Sequence, residues 1–406
     1  MPVKTTHVGS LPRTPQLLEA NNLLSAGKIS PQDFEEVIER ASAEVVAKQR
    51  EIGIDIVNEG EYGHITSGAV DYGAWWNYSF SRLGGLTQTD EDRWAKTEVI
   101  RSEPGNIRLT TFTDRRDRNL FREAYEDPDS GVLGNRNSVG NPVITGPLSY
   151  IGTEAARRDV NLLLKGLQAN GLDASSGFVA ALSPGSCARV ENRYYRTDEE
   201  VVWACAEVMR QEYKIITDAG LTVQIDDPSI AESWDQINPE PSLEDYKKFI
   251  GVRIEALNWA LKDIPTELTR FHVCWGSWHG PHTTDIPFAD IVGDVLRVDA
   301  KGYTFEASSP RHAHEWRIWH EYQLPADKVL IPGVVCHSTN VVEHPQLVAD
   351  RLSRFVAAVG PHMEAFVERV ASERVIGSTD CGLGGRLHSS IAWAKLQSLV
   401  DGARLV

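Results

Sequence analysis

Residues 198–228 read DEEVVWACAEVMRQEYKIITDAGLTVQIDDP. In the first two thirds, Val202, Cys205, Ala206, Met209, Tyr213 and Ile216 fall on one face at helical spacing, which predicts a helix over Asp198–Ala219. A short β-branched run, Thr222–Ile225, follows and predicts a strand. The same alternation runs outward in both directions. Further strands are expected at Thr5–Ser10, Ile54–Asn58, Pro142–Thr145, Arg270–Cys274, Tyr303–Ala307, Val329–Pro332 and Arg374–Ser378. Helices are expected at Pro31–Ile52, Leu243–Leu261, Pro287–Val298, Arg311–Tyr322 and Glu343–Val370. Strands that alternate with helices pair in parallel, and eight such units predict an α/β fold closed into a (β/α)8 TIM barrel. A doubly wound open sheet is the alternative. It is disfavoured because His7-Val8-Gly9-Ser10-Leu11-Pro12-Arg13 holds one Gly where a dinucleotide fingerprint needs three.

Length alone, 406 residues, leaves one domain or two open. The reading adopted is a single barrel domain over 1–406, with insertions at about 60–140 and 153–197 lying over the C-terminal ends of the strands. The first insertion carries Trp75, Trp76 and Tyr78, which either close an aromatic lid over a flat ligand or pack the insertion on the barrel. Composition is that of a globular chain, 41% hydrophobic and 24% charged. Against 57 Asp and Glu stand 41 Lys and Arg, a net charge of −16, the wrong sign for a nucleic-acid footprint. No apolar run approaches the ~18 residues that span a bilayer, and the opening residues have no signal-peptide core. Five scattered cysteines, with no CxxC pair, read as free thiols rather than a disulfide framework. A cytoplasmic location without nucleic-acid or membrane partners is expected.

Chemistry concentrates at three strand ends. In Phe271-His272-Val273-Cys274, residues two apart point to one side, so His272 and Cys274 share a face. A buried Cys beside a hydrogen-bonded His is the plain reading of that pair alone. The next strand ends in Glu306 amid apolar residues, and the last runs into Thr379-Asp380-Cys381-Gly382. One imidazole, two thiolates and a carboxylate make a tetrahedral zinc set, since Zn²⁺ accepts N, S and O donors.

With these residues in place, the chain resembles the catalytic half of the cobalamin-independent methionine synthases, and more closely their short relatives that consist of that barrel alone. The likeness runs patchily over nearly the whole chain. It rests on Thr6-His7-Val8-Gly9-Ser10-Leu11-Pro12, on Gly53–Val57 leading to Gly60-Glu61, on Thr145-Gly146-Pro147, and on Gln224–Pro228 with Glu232 after it. It rests also on His272, Cys274, Glu306 and Cys381, and on Gly333–Asn340 around His337. The resemblance implies zinc held by His272, Cys274, Glu306 and Cys381, a thiol substrate held at Gly9 and Ser10, its amine held by Glu61, Asp226 and Glu232, and His337 as proton donor. Asp226 and Asp227 read equally as caps of the segment that follows them. The family's Trp after Thr-Gly-Pro, which meets a pterin, is missing from Leu148–Thr153, and its Arg-Cys element is not recognisable in Asn135–Asn141.

The activity so implied is zinc-dependent S-alkyl transfer, most simply of a methyl group to homocysteine, from a donor other than or simpler than a folate triglutamate. Two thiolates and one carboxylate against Zn²⁺ leave a formal charge of about −1. That favours a nucleophilic sulfur over a metal-activated water. Relatives imply other donors, including a corrinoid protein or an epoxide used with coenzyme M. A metal-free barrel of the uroporphyrinogen decarboxylase type is the alternative of another class; it gives no reason for the His/Cys/Glu/Cys set. His279 and His282 default to a structural role, with pocket lining the lesser alternative, and His312 and His314 read as caps or surface.

Overall fold

A computed structural model describes residues 2–64, 74–92, 98–132, 140–360 and 372–406. Seven parallel strands form the main sheet: β1 (Lys4–Thr5), β4 (Phe178–Leu182), β6 (Thr222–Asp227), β7 (Thr269–Val273), β8 (Gly302–Glu306), β9 (Val329–Val335) and β10 (Ile376–Thr379). Their order is β1-β10-β9-β8-β7-β6-β4, so the first strand in the chain lies beside the last. A second sheet, ordered β2-β3-β5, joins β2 (Leu83–Asp92), β3 (Gly140–Tyr150) and β5 (Glu191–Asn192). Ile54–Asn58, expected as a full strand, is an extended segment with a single bridge, Val57 to Gly177. It reaches both edges of the main sheet. Asp55 and Ile56 N–H each donate to Thr5 O at 3.1 Å, and Phe178 N–H donates to Val57 O at 3.0 Å.

Of the six expected helices, all but Arg311–Tyr322 form in the described residues; Glu343–Val370 appears as Pro345–Val359, and its part from 361 on lies outside the described residues. Asp198–Asp218 begins at Thr197, whose side chain accepts from Glu200 N–H at 3.1 Å, and it buries the whole expected stripe, Val202 to Ile216. Pro31–Ile52 starts in a capping box, Ser30 with Asp33, and stops at Gly53 with φ 99°. Arg311–Tyr322 does not form an α-helix; only a 3₁₀ stretch, Glu315–His320, appears there. Among the described residues no helix is long and apolar enough to cross a membrane.

One strand assignment is corrected. Pro142–Thr145 is a strand, but it belongs to β3 in the smaller sheet, where Thr145, Pro147 and Ser149 face solvent. The main sheet instead takes Phe178–Leu182, a run buried at every position. A parallel strand covered on both faces reads as a continuous apolar run, whereas a half-solvated antiparallel strand alternates. The segment 153–197 therefore supplies a main-sheet strand and the helix Thr153–Ala169, rather than an insertion.

The smaller sheet and the preceding helix, Ala74–Ser81, are tied down by buried charge. Arg82 pairs with Asp159 at 2.6 Å and reaches Glu212 at 3.7 Å, while the Tyr78 and Tyr150 hydroxyls both donate to Glu212. Tyr78 is buried and stacks on His64 at 3.9 Å, the packing role; the side chains of Trp75 and Trp76 lie outside the described residues. Removing one partner of a buried charge network leaves the others uncompensated. Arg82→Met should therefore lower stability by roughly 3–5 kcal/mol, read from the urea unfolding midpoint and slope.

Candidate metal and thiol site

Strand β7 sends Arg270, His272 and then Cys274 to the inner face of the sheet, two residues apart each time. At the bottom, Arg270 bonds Gln224 Oε1 at 2.7 Å, Thr6 Oγ1 at 3.0 Å and His7 O at 2.8 Å, with the Phe178 ring 3.4 Å away. One level up, parallel register sets Asp226 of β6 opposite His272. Their side chains meet, His272 Nδ1 to Asp226 Oδ1, at 3.0 Å. Burial opposes charge on His272, but the hydrogen bond and charge of Asp226 outweigh it and hold the imidazole above its usual range. The other ring nitrogen, Nε2, is buried without a partner.

Above that level lie the thiols. Cys381 follows β10, and a ring nitrogen of His272, Cys274 Sγ and Cys381 Sγ all lie within 4.8 Å of one another. The hydrogen bond from Cys274, helped by the charge of His272, pulls the Cys381 thiol below its usual range. The same bond pushes Cys274 up. Among the described residues a second such group adjoins the first: Glu306, His337 and Asp380. Glu306 ends β8, and its Oε1 is buried without a partner. Burial, followed by the effects of neighbouring charges, leaves its carboxyl raised to about 8. Its charge acts on both His272 and Cys274, so the two groups are electrically one site. His337 follows β9; both its ring nitrogens are buried without partners. Burial, then the nearby cations Arg386, His279, His282 and His272, hold it well below the usual range.

The expected thiol-side residues gather beside this column. Gly9 has φ 147°, and a Cβ on it would sit 2.1 Å from Glu61 Oε1, so the glycine admits the carboxylate. Glu61 itself adopts φ 57°, an uncommon backbone for a non-glycine residue. Arg13 holds that turn, donating to Ser10 Oγ at 3.0 Å and Glu61 O at 2.8 Å. Burial pushes the Asp226 carboxyl up and the charge of Glu61 adds to it, against the hydrogen bonds from His272 and Gln224. Asp227 serves a turn, accepting from Ser229 N–H at 2.9 Å.

Two residues and one segment differ from expectation. Glu232 is not open to an ammonium group: Arg115 and Arg189, the latter at 2.9 Å, already engage its carboxylate. His312 is buried rather than a surface residue, held by Asp285 at 3.2 Å and Glu315 at 2.8 Å, with its ring 4.3 Å from that of Trp275. Burial opposes its charge, but the two carboxylates raise it to about 10. Thr145-Gly146-Pro147 lies in the smaller sheet, and the corresponding end of a main-sheet strand is Leu182-Ser183-Pro184. Arg115 and Arg189 went unnoticed because their partner Glu232 lies far along the chain, whereas Glu315 and Asp285 each have a histidine three residues away, His312 and His282, that was the usable signal.

A family model for the catalytic domain of cobalamin-independent synthase matches residues 3–107. The methionine synthase of Thermococcus kodakarensis is 23% identical, covering 99% of this chain and 93% of its own, and that of Sulfolobus acidocaldarius is 24% identical, covering 99% and 91%. A B12-independent methionine synthase structure from Shewanella sp. W3-18-1, in complex with selenomethionine, superposes with TM-score 0.66 at 17% identity, covering 100% of this chain and 98% of that one. A putative one from Listeria monocytogenes gives 0.58 at 18%, covering 99% and 98%. The fold is shared with these two structures. By sequence, the chain is similar to methionine synthases over nearly its whole length, and to the catalytic domain of cobalamin-independent synthase over residues 3–107.

Glu232 yields a pH-dependent outcome. Its two arginines overcome the burial that would raise it and hold its carboxyl at about 2, against an ordinary 4.5. A depressed carboxylate contributes stability that is present above its unfolded value and lost as pH falls through the folded one. Glu232→Gln should therefore be less stable than the parent at pH 7, and that gap should shrink between about pH 4.5 and 2. Urea unfolding at a series of pH values measures it.

Proposed function

We propose that the chain is a zinc-dependent S-methyltransferase that methylates homocysteine, using a donor other than or simpler than a folate triglutamate. The barrel reading that goes with it is a single eight-unit domain over 1–406, closed by Ile54–Asn58 between β1 and β4 and carrying an insertion at about 60–140. Its free thiols suit a reducing compartment, and we place it in the cytoplasm.

The observation that carries the reading is the convergence of His272, Cys274 and Cys381 within 4.8 Å, beside a Glu306 oxygen and a His272 nitrogen that are buried and unpartnered. Buried polar atoms without partners are rare, and nitrogen, sulfur and oxygen donors together suit zinc. Zinc bound there supplies thiolate character to a substrate thiol at neutral pH. The protein's own groups do the rest. Asp226 orients His272 so that Nε2 faces the donors, as carboxylate partners of metal-binding imidazoles do. Glu61 and Asp226 provide negative charge for an ammonium group, which favours an amino-acid thiol over a sulfonate-bearing one. His337, with unengaged ring nitrogens, is placed to hand a proton to the leaving group.

The donor assignment rests on the residues that follow the two candidate strand ends, Thr145-Gly146-Pro147 and Leu182. Neither Leu148–Thr153 nor Leu182–Cys187 contains a Trp. Trp278 is already used, stacked 4.0 Å from His282 and 4.4 Å from the Arg115 guanidinium. Two experiments test the reading. Protein purified without chelator should carry about one zinc per chain, and Cys381→Ser should lose most of it; full retention would remove the site. Second, Glu61→Gln should weaken homocysteine use by roughly 1–3 kcal/mol while sparing a thiol that lacks the amine. The same assay, run with methylcobalamin, small methyl donors and methyltetrahydropteroyl-triglutamate, should show the triglutamate as the poorest donor.

A further inference from the structure

Two of the proposed metal donors, Glu306 and Cys381, sit on β8 and β10, which do not touch as neighbours; β9 runs between them. Something must fix their spacing across that strand. Asp380, adjacent to Cys381, does so in the structure. Its Oδ1 accepts from Ala307 N–H at 2.9 Å and Ser308 N–H at 3.1 Å, and its Oδ2 accepts from Ser308 Oγ at 2.7 Å. These are the two residues that follow Glu306. The Asp380 N–H meanwhile donates to Val335 O of β9 at 2.9 Å.

The crossing is possible because β9 carries Gly333 at that point. A Cβ there would lie 2.4 Å from Asp380 Cα and 2.6 Å from its N, both backbone atoms that cannot swing aside. A register shift between Ser378 and Thr379 accompanies the crossing. Irregularities of this kind re-aim side chains at strand ends. Asp380 is buried, and both its oxygens are engaged by these hydrogen bonds.

We propose that Asp380 is a positioning residue: with Ser308 and Gly333 it forms a clasp over β9 that sets the distance between Glu306 and Cys381, so that both can serve one metal ion. This rests on the zinc reading above. The competing role for Asp380 is as a donor in its own right, grouped with Glu306 and His337.

An amide separates the two. Asn at 380 can still accept from both backbone N–H groups, and the Ser308 hydroxyl can reverse to accept from the amide nitrogen, so geometry survives while charge is lost. The experiment is a zinc competition titration of the full-length holoprotein against a chromogenic chelator, with the thermal midpoint recorded alongside. Asp380→Ala and Gly333→Ala should weaken zinc binding roughly 10–100-fold, the range for partners that orient metal ligands. Asp380→Asn should stay close to the parent. Ser308→Ala, which removes one hydrogen bond, should shift affinity in the same direction and serves if Asp380→Ala fails to fold. A zinc-loaded parent whose Asp380→Ala variant binds as tightly overturns the clasp alone. Equal loss in Asp380→Asn and Asp380→Ala overturns it in favour of direct coordination. A parent that binds no zinc overturns the functional reading and the clasp together.

Discussion

The hydrogen bond between Asp226 and His272 is the constraint on which the site depends. Parallel register makes the two residues opposite neighbours on β6 and β7, and burial makes their contact obligatory, since neither tolerates isolation in a dry interior. Once Nδ1 is committed to Asp226, Nε2 is the ring nitrogen left without a partner. Beneath them, burial lowers the pKa of Arg270 and the charge of Asp226 offsets part of that. Cys274 is then delivered to the same face by the two-residue period of the strand. One strand, read upward as Arg, His and Cys, runs from structural charge to candidate chemistry in three steps.

Much of this was legible because it is local. The helical stripe from Val202 to Ile216 and the alternation of His272 with Cys274 depend on neighbours a few residues away, and both stand in the structure. Errors arose where identity depends on what covers a segment. Pro142–Thr145 and Phe178–Leu182 are both short and apolar, but the first runs on into a stretch whose Thr145, Pro147 and Ser149 are exposed while the second is buried throughout. The unbroken run Phe-Val-Ala-Ala-Leu was the usable signal, since a fully covered strand has no reason to alternate.

Glu232 teaches the same lesson for the site. Its sequence position after Asp226 suited a role in holding an amine, yet two arginines, one 117 residues earlier in the chain and the other 43 residues earlier, had already neutralised it. His312 looked like a helix-opening surface residue and proved to be buried between Asp285 and Glu315. Long-range charge pairing leaves no periodic trace, so neither partner announces the other. Residue types at strand ends could be read; their electrical company could not.

The pairing of β1 with β10 also bears on how such a molecule comes into being on the ribosome. Translation delivers β1 some 370 residues before its neighbour in the sheet. Cys381 emerges later still, just ahead of the closing helix Ser389–Ala403. Contacts of such wide sequence separation carry a large loop-closure cost and form late. A nascent chain therefore exposes His272 and Cys274 before their third companion exists, and a stalled or truncated product would hold two thirds of a thiol-and-imidazole trap with nothing to complete it.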